Sequence, residues 1–338
     1  MKSILIWLVG TTALSMITTS VSAQVMVGAY VPADGWSRTN IAQVNDALSK
    51  NLAYVNVFSG FAHSWQQLKI QSDNIAAEGA MPMISWMPID SSRRSDNLLP
   101  EIIAGEWDQY IDNWADGLIA WAETDSDANK RILLRFAHEF NGNWYSYSGK
   151  PGQLKRAWRR IHRRFERRGA NQYIDWVWCA NNVSVDRHQD IRKYYPGDRF
   201  VDWTALDGYN WGSNYAWSHW KSFAEVFSDS YNTLIANYPN KPVMIAETGS
   251  AEPADIPDAG RGQNGDDSDA LYSKRDWVAE MMVSLQTDFP AIRALTLFNT
   301  NKELSWSLTG PDNTGLAQFN DALASDYFTS DYSPSSHN

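Results

Sequence analysis

Cysteine is almost missing. Cys179 is the single one in 338 residues, which excludes an intrachain disulfide framework and a cysteine-rich zinc site. Basic residues are the minority, 29 Lys and Arg against 39 Asp and Glu. The net charge of −10 argues against a polyanion such as nucleic acid as the main partner. His63, His188 and His219 show no metal-ligand spacing and His162 lies in a basic stretch, so no histidine metal site is expected. No apolar run is long enough to cross a bilayer, since Ile4 to Ile17 is short and interrupted by Thr and Ser. A glycine-rich phosphate cradle is also lacking. The turn after the first apolar stretch reads Tyr30-Val31-Pro32-Ala33-Asp34-Gly35-Trp36, which speaks against a doubly wound nucleotide-binding sheet.

Aromatic residues, by contrast, are abundant: 17 Trp, 15 Tyr and 12 Phe. Flat rings with a polar edge suit surfaces that stack on sugars, although many serve as core. Lys2, the apolar run to Ile17 and the small residues Val21-Ser22-Ala23 read as an export leader cut near Gln24. No cysteine follows the cut to carry a lipid anchor, so a protein exported to the periplasm or the medium is expected. Cys179 follows Trp176, Val177 and Trp178 in an apolar run and reads as a buried thiol.

Apolar runs of strand length appear at Val25–Tyr30, Leu52–Phe58, Met81–Trp86, Ile132–Ala137, Ile174–Cys179, Thr204–Tyr209, Val243–Ala246 and Ile292–Phe298. Helical spacing separates them, as in Ile41 to Leu48, Trp107 to Trp121, Leu154 to Phe165, Phe223 to Tyr238 and Leu271 to Leu285. Strands alternating with helices in this way predict a single α/β (β/α)8 TIM barrel over residues 24–328, after the leader 1–23 and before a fraying tail 329–338. On the basic stretch from Lys155 to Arg168, Leu154, Trp158, Ile161 and Phe165 mark the buried face and leave the basic side in water. Gly260 to Asp269 lacks the spaced ligands of a calcium loop and reads as a loop near the site.

Chemistry in such a barrel sits where strands end at the C-terminal face. Glu139 follows the fourth apolar run and Glu247 the seventh, so two carboxylates are expected at one mouth. A carboxylate there needs a partner or a task, and Arg135 is the candidate partner for Glu139. A glycosidic bond needs one protonated carboxyl to donate to the leaving oxygen and one ionised carboxylate to attack the anomeric carbon. The residues themselves leave open which Glu does which. A barrel that binds a glycan without cutting it, or an exported scaffold, is the rival reading; neither has use for the matched pair.

Arg135-Phe136-Ala137-His138-Glu139-Phe140-Asn141-Gly142-Asn143-Trp144-Tyr145 resembles the acid/base segment of glycoside hydrolase family 26. Pro242 to Gly249 is similar to that family's nucleophile strand, and Tyr194 to Asp198 with Asp207-Gly208-Tyr209-Asn210-Trp211 to its strand-six region. The resemblance runs from about Val25 to Trp306. It implies a retaining glycosidase with Glu139 as acid/base and Glu247 as nucleophile. It also implies His138 and Trp144 at the subsite of the cleaved bond, Tyr209 bonded to the nucleophile and Trp306 as a sugar platform. Arg135, Asn141 and Trp211 complete the substrate-binding candidates. The family is best known for endo-acting β-1,4-mannanases, with mixed-linkage β-1,3-1,4-glucanases and some xylanases alongside. Family weight puts mannan first. Trp144-Tyr145-Ser146-Tyr147, in place of the Trp-Phe-Trp-Trp of many mannanases, leans toward the glucanase branch. A monomer acting on a polysaccharide, with no cofactor and no metal, is expected.

Overall fold

The computed structural model describes residues 24–93, 96–124, 130–185, 190–253, 272–311 and 313–332. The leader, His188, the Gly260 to Asp269 stretch and residues 333–338 lie outside the described residues. Each expected strand forms: β1 (Val25–Tyr30), β2 (Tyr54–Gly60), β3 (Met81–Met87), β4 (Ile132–Phe136), β5 (Ile174–Asn181), β6 (Trp203–Asn210), β7 (Val243–Ser250) and β8 (Ile292–Phe298). They pair in parallel in chain order, and β1 closes the barrel by pairing with both β8 and β2. Outside lie α1 (Arg38–Ala47), α2 (Trp65–Ala77), α3 (Leu99–Ala104), α4 (Asp108–Ala122), α5 (Pro151–Arg168), α6 (Phe223–Asn237), α7 (Lys274–Thr287) and α8 (Leu316–Leu323). The sequence pattern had not shown α2, α3 or α8.

Alternation along each strand divides the core into two shells. Inward positions such as Met26, Tyr54, Met83, Leu133, Trp203 and Met244 fill the lower barrel. Gly28 is required there, because a Cβ on it would fall 2.2 Å from the Tyr54 ring, whose hydroxyl lies 2.8 Å from Thr296 Oγ1. Outward positions pack on the helices. Trp86 stacks on Phe61 at 4.6 Å and on Trp114 at 4.9 Å, so Trp86, like the buried Trp65, is core and not a sugar contact. Trp114, Trp121, Trp158 and Trp277 on the helices are buried as expected, and so is the free Cys179.

Two expectations are corrected. Thr329 does not fray: β9 (Phe328–Thr329) pairs with Val25 and Met26, and Arg131 lies 5.6 Å from the ring of Tyr332, which packs beneath the lower core. The basic side of α5 is not simply in water. Leu154, Trp158, Ile161 and Phe165 are buried as predicted, but Arg160, Arg164 and Arg168 pair with Asp108, Asp112 and Asp116 of α4. Matching four-residue steps on parallel helices bring each Arg beside one Asp, a ladder invisible without knowing which helices are neighbours.

Candidate active site

Three inward positions of the upper barrel carry charge. On β4 the inward Leu133 is followed two residues later by Arg135, and on β6 Ala205 is followed by Asp207. Strand β7 needs a device. Met244 and Ala246 face inward and Ile245 outward, so strict alternation would turn Glu247 away from the interior. The β6–β7 register shifts, pairing Leu206 with Ile245 but Asp207 with Glu247, and this bulge re-aims Glu247 inward. The strand then continues to Ser250, so Glu247 lies within β7 and not at its end.

Arg135 is fully buried and organises the site. Its Nε donates to Ser85 Oγ at 2.8 Å, its Nη1 to both Asp207 oxygens at 2.8 Å, and its Nη2 to Glu247 Oε1. Cys179 donates its S–H to Asp207 Oδ1 at 3.1 Å. Burial opposes the charge on Arg135, but Asp207 and Glu247 outweigh it and hold the guanidinium protonated well above its ordinary range. The partners of Arg135 are therefore Glu247 and Asp207, not the candidate Glu139, and the side chain, expected to bind substrate, is too deep to meet it. The other Glu247 oxygen accepts from Tyr209 at 2.7 Å, the contact the family resemblance implied.

Glu139 is held differently. Ala137 and Glu139 adopt left-handed backbone, φ 48° and 53°, a strained turn secured by neighbouring strands. The Ala137 N–H donates to Trp86 O and the Glu139 N–H to Cys179 O, both at 3.0 Å. Glu139 Oε2 accepts from the Trp144 indole at 2.7 Å. That fold-back depends on Gly142, where a Cβ would meet the Trp144 ring at 2.5 Å. Burial, then the charge of Glu247, pushes the Glu139 carboxyl up to about 7 against the pull of the Trp144 bond. The two carboxyls thus differ in kind. One is clasped by a guanidinium and a phenol; the other, short of charged partners, keeps its proton near neutrality.

Both glutamates line one open cleft of about 1140 Å³, together with Trp144, Tyr209, Trp211 and Trp306. His138 lies beneath it, 1% exposed, its Nε2 3.1 Å from the Tyr145 hydroxyl. Burial, then the Arg135 charge, holds its imidazole well below the ordinary range and so neutral. Trp306 is 3% exposed and packs against Tyr209 and Trp211, both at 4.9 Å, so it presents little face as a platform. Asn141 is not a cleft residue. It is fully buried, donating to Asn181 O at 2.9 Å and accepting the Asn181 N–H at 2.8 Å, and it ties the turn after β4 to the end of β5.

Sequence reasoning missed Asp207, Tyr145 and the cleft residues Tyr30, Phe58, Phe298 and Lys302. Asp207 was legible as an acid at an inward position two residues before Tyr209; the others carry no signal without the fold. His138, Asp207 and Glu247 place ligand atoms within 4.8 Å of one another, a set that could surround a cation. Arg135 already supplies the positive charge to both carboxylates, and a dication would have to displace it.

A family model described as glycosyl hydrolase family 26 matches residues 32–256. The chain belongs to that family. Endoglucanase H of Acetivibrio thermocellus is 30% identical over 305 residues, 88% of this chain and 30% of that protein. A mannan endo-1,4-β-mannosidase of Caldalkalibacillus mannanilyticus is 28% identical over 156 residues, 43% of this chain and 26% of that protein. The chain thus spans less than a third of either relative. Among solved structures, a Bacillus subtilis mannanase shares the fold with a TM-score of 0.62 at 16% identity, over 92% of this chain and 87% of that one.

Proposed function

We propose that this family 26 member is an exported, retaining endo-β-glycanase in which Glu247 is the nucleophile and Glu139 the acid/base. The observation that carries the reading is the unequal pair. Glu139 keeps its proton to about 7, while Glu247 accepts from Arg135 and Tyr209 in the same cleft. Protonated Glu139 donates to the leaving oxygen as the bond breaks, and Glu247 attacks the anomeric carbon. The resulting ester cancels the charge on Glu247, which removes one cause of the raised Glu139 pKa. Glu139 then takes a proton from the water that releases the sugar. Neutral His138 and its partner Tyr145 stand beneath the reacting centre and brace its floor.

For the backbone we place mixed-linkage β-glucan first, because the relative matched over 88% of the chain is an endoglucanase and the Trp144-Tyr145 variant agrees. Mannan is the second reading, supported by the mannosidase relative. The leader-like residues 1–23 support export, and a monomer suffices for a cleft built within one barrel. The test is product release from barley β-glucan, glucomannan, galactomannan and β-1,3-xylan by the purified protein and its Glu247→Ala variant. We expect oligosaccharides of retained configuration from barley β-glucan and none from the variant. Release only from galactomannan would move the substrate to mannan, and undiminished release by Glu247→Ala would overturn the nucleophile.

A further inference from the structure

The loop between β6 and α6 carries Trp217, the most exposed large apolar side chain among the described residues at 68%. Its exposure is not slackness. Asn210 Oδ1 accepts from Gly212 N at 3.2 Å and Lys221 N at 2.9 Å, closing both ends of the loop, and Asn210 Nδ2 donates to Ser250 Oγ at 2.9 Å. Asn214 Nδ2 donates to Trp211 O at 2.9 Å and to Glu252 O at 3.0 Å. Inside the loop, Ser218 N donates to Tyr215 O at 3.0 Å. The indole of Trp217 lies nearly parallel to the Tyr215 ring, 5.3 Å away at 11°, and meets Trp211 edge-on, also at 5.3 Å. A loop pinned this firmly holds a large apolar ring in water, where it forfeits the free energy of burial.

What covers it is indicated by continuity. Trp217 lines the same cleft as Glu139 and Glu247. Ring contacts run outward from Tyr209, the partner of Glu247, to Trp211 at 6.0 Å and from Trp211 to Trp217. His219 and Lys221 follow on the same loop and line the cleft beside it. A pyranose offers an apolar C–H face to an indole and hydroxyls at its rim to neighbouring polar groups. We propose that Trp217, backed by Tyr215 and Trp211, is a stacking platform for a sugar ring of the bound chain remote from the bond that is cut. This rests on the glycanase reading. Because the rings are already fixed, little conformational freedom is lost when the sugar arrives.

Chain length tests it. The measured quantity is the ratio of kcat/KM on a hexasaccharide to kcat/KM on an aryl disaccharide, which fills only the subsites next to the glutamates. Trp217→Ala should lower this ratio about tenfold, the scale of one aromatic contact, and Trp217→Phe should recover most of it. An unchanged ratio, whether both rates fall together or neither does, overturns the platform. Calorimetric binding of cellohexaose and mannohexaose to Glu247→Ala, with and without Trp217→Ala, gives a reading independent of turnover. If the parent protein cuts no glycan, the glycanase reading fails and binding alone decides the platform, which is then overturned if neither hexasaccharide binds about tenfold more weakly without the indole.

Discussion

The two ends of the barrel interior are built on the same strands and obey opposite rules. In the lower half β4, β6 and β7 contribute Leu133, Ala205 and Met244, apolar side chains that fill the barrel by shape. One step higher the same strands contribute Arg135, Asp207 and Glu247, a buried cation bonded to two buried carboxylates. The lower half gains from taking its residues out of water. In the upper half the charges lose hydration and regain it only through specific hydrogen bonds. Bulk burial therefore explains why the barrel stands, and directed bonds explain how its mouth is set for chemistry. The contrast appears again between the two glutamates: Glu247 accepts from the Arg135 guanidinium and the Tyr209 hydroxyl, whereas Glu139 accepts from the neutral Trp144 indole.

If the mouth is where the chemistry lies, Glu139→Ala should cut turnover of substrates with poor leaving groups by about 10²- to 10⁴-fold. Activated aryl glycosides, which need little proton donation, should lose much less; equal losses on both would mean that Glu139 is not the acid. Arg135→Ala leaves two carboxylates facing each other without a cation. It should cost roughly 3–5 kcal/mol in urea unfolding and lower the activity of the protein that remains folded. Met83→Ala in the lower half should cost a similar ~2–5 kcal/mol through its cavity yet leave kcat/KM per folded molecule unchanged. If both variants lost stability and activity alike, the division between the two halves would not hold.

The smallest effect is a slope with pH. Folded Glu139 keeps its proton to about 7, against an ordinary value of 4.5, so between these limits the folded state binds more protons than the unfolded one. Stability contributed by this group is present below about 4.5 and is lost as pH rises to about 7. Glu139→Gln should flatten that part of the profile when unfolding is followed at pH 5, 6, 7 and 8. An identical profile in the variant would show that Glu139 titrates normally.

Much of the architecture was legible because it is periodic. The eight strands and five of the helices announce themselves by spacing, and the ends of β4 and the apolar part of β7 point to Glu139 and Glu247. Contacts were less legible. Arg135 reads as a substrate-binding candidate, with Glu139 four residues away as its candidate partner, but its partners lie 50, 72 and 112 residues along the chain, at Ser85, Asp207 and Glu247. Asn141 sits in the family's motif and reads as a sugar contact until β5 is seen beside it, taking both ends of its amide. Trp217 and Trp306 are equivalent as letters, yet one stands 68% exposed and the other 3%.

The amino-acid sequence by itself determined the barrel and the residue types available at the mouth, because local alternation of apolar and polar residues is enough to specify strands, helices and their order. Tertiary structure alone decided that a bulge turns Glu247 inward, that Arg135 serves Glu247 and Asp207, and that the arginines of α5 lie along the aspartates of α4. Pairing, register and solvent exposure belong to neighbours that only closure of the barrel brings together, and the chemistry of each carboxyl is set by those neighbours.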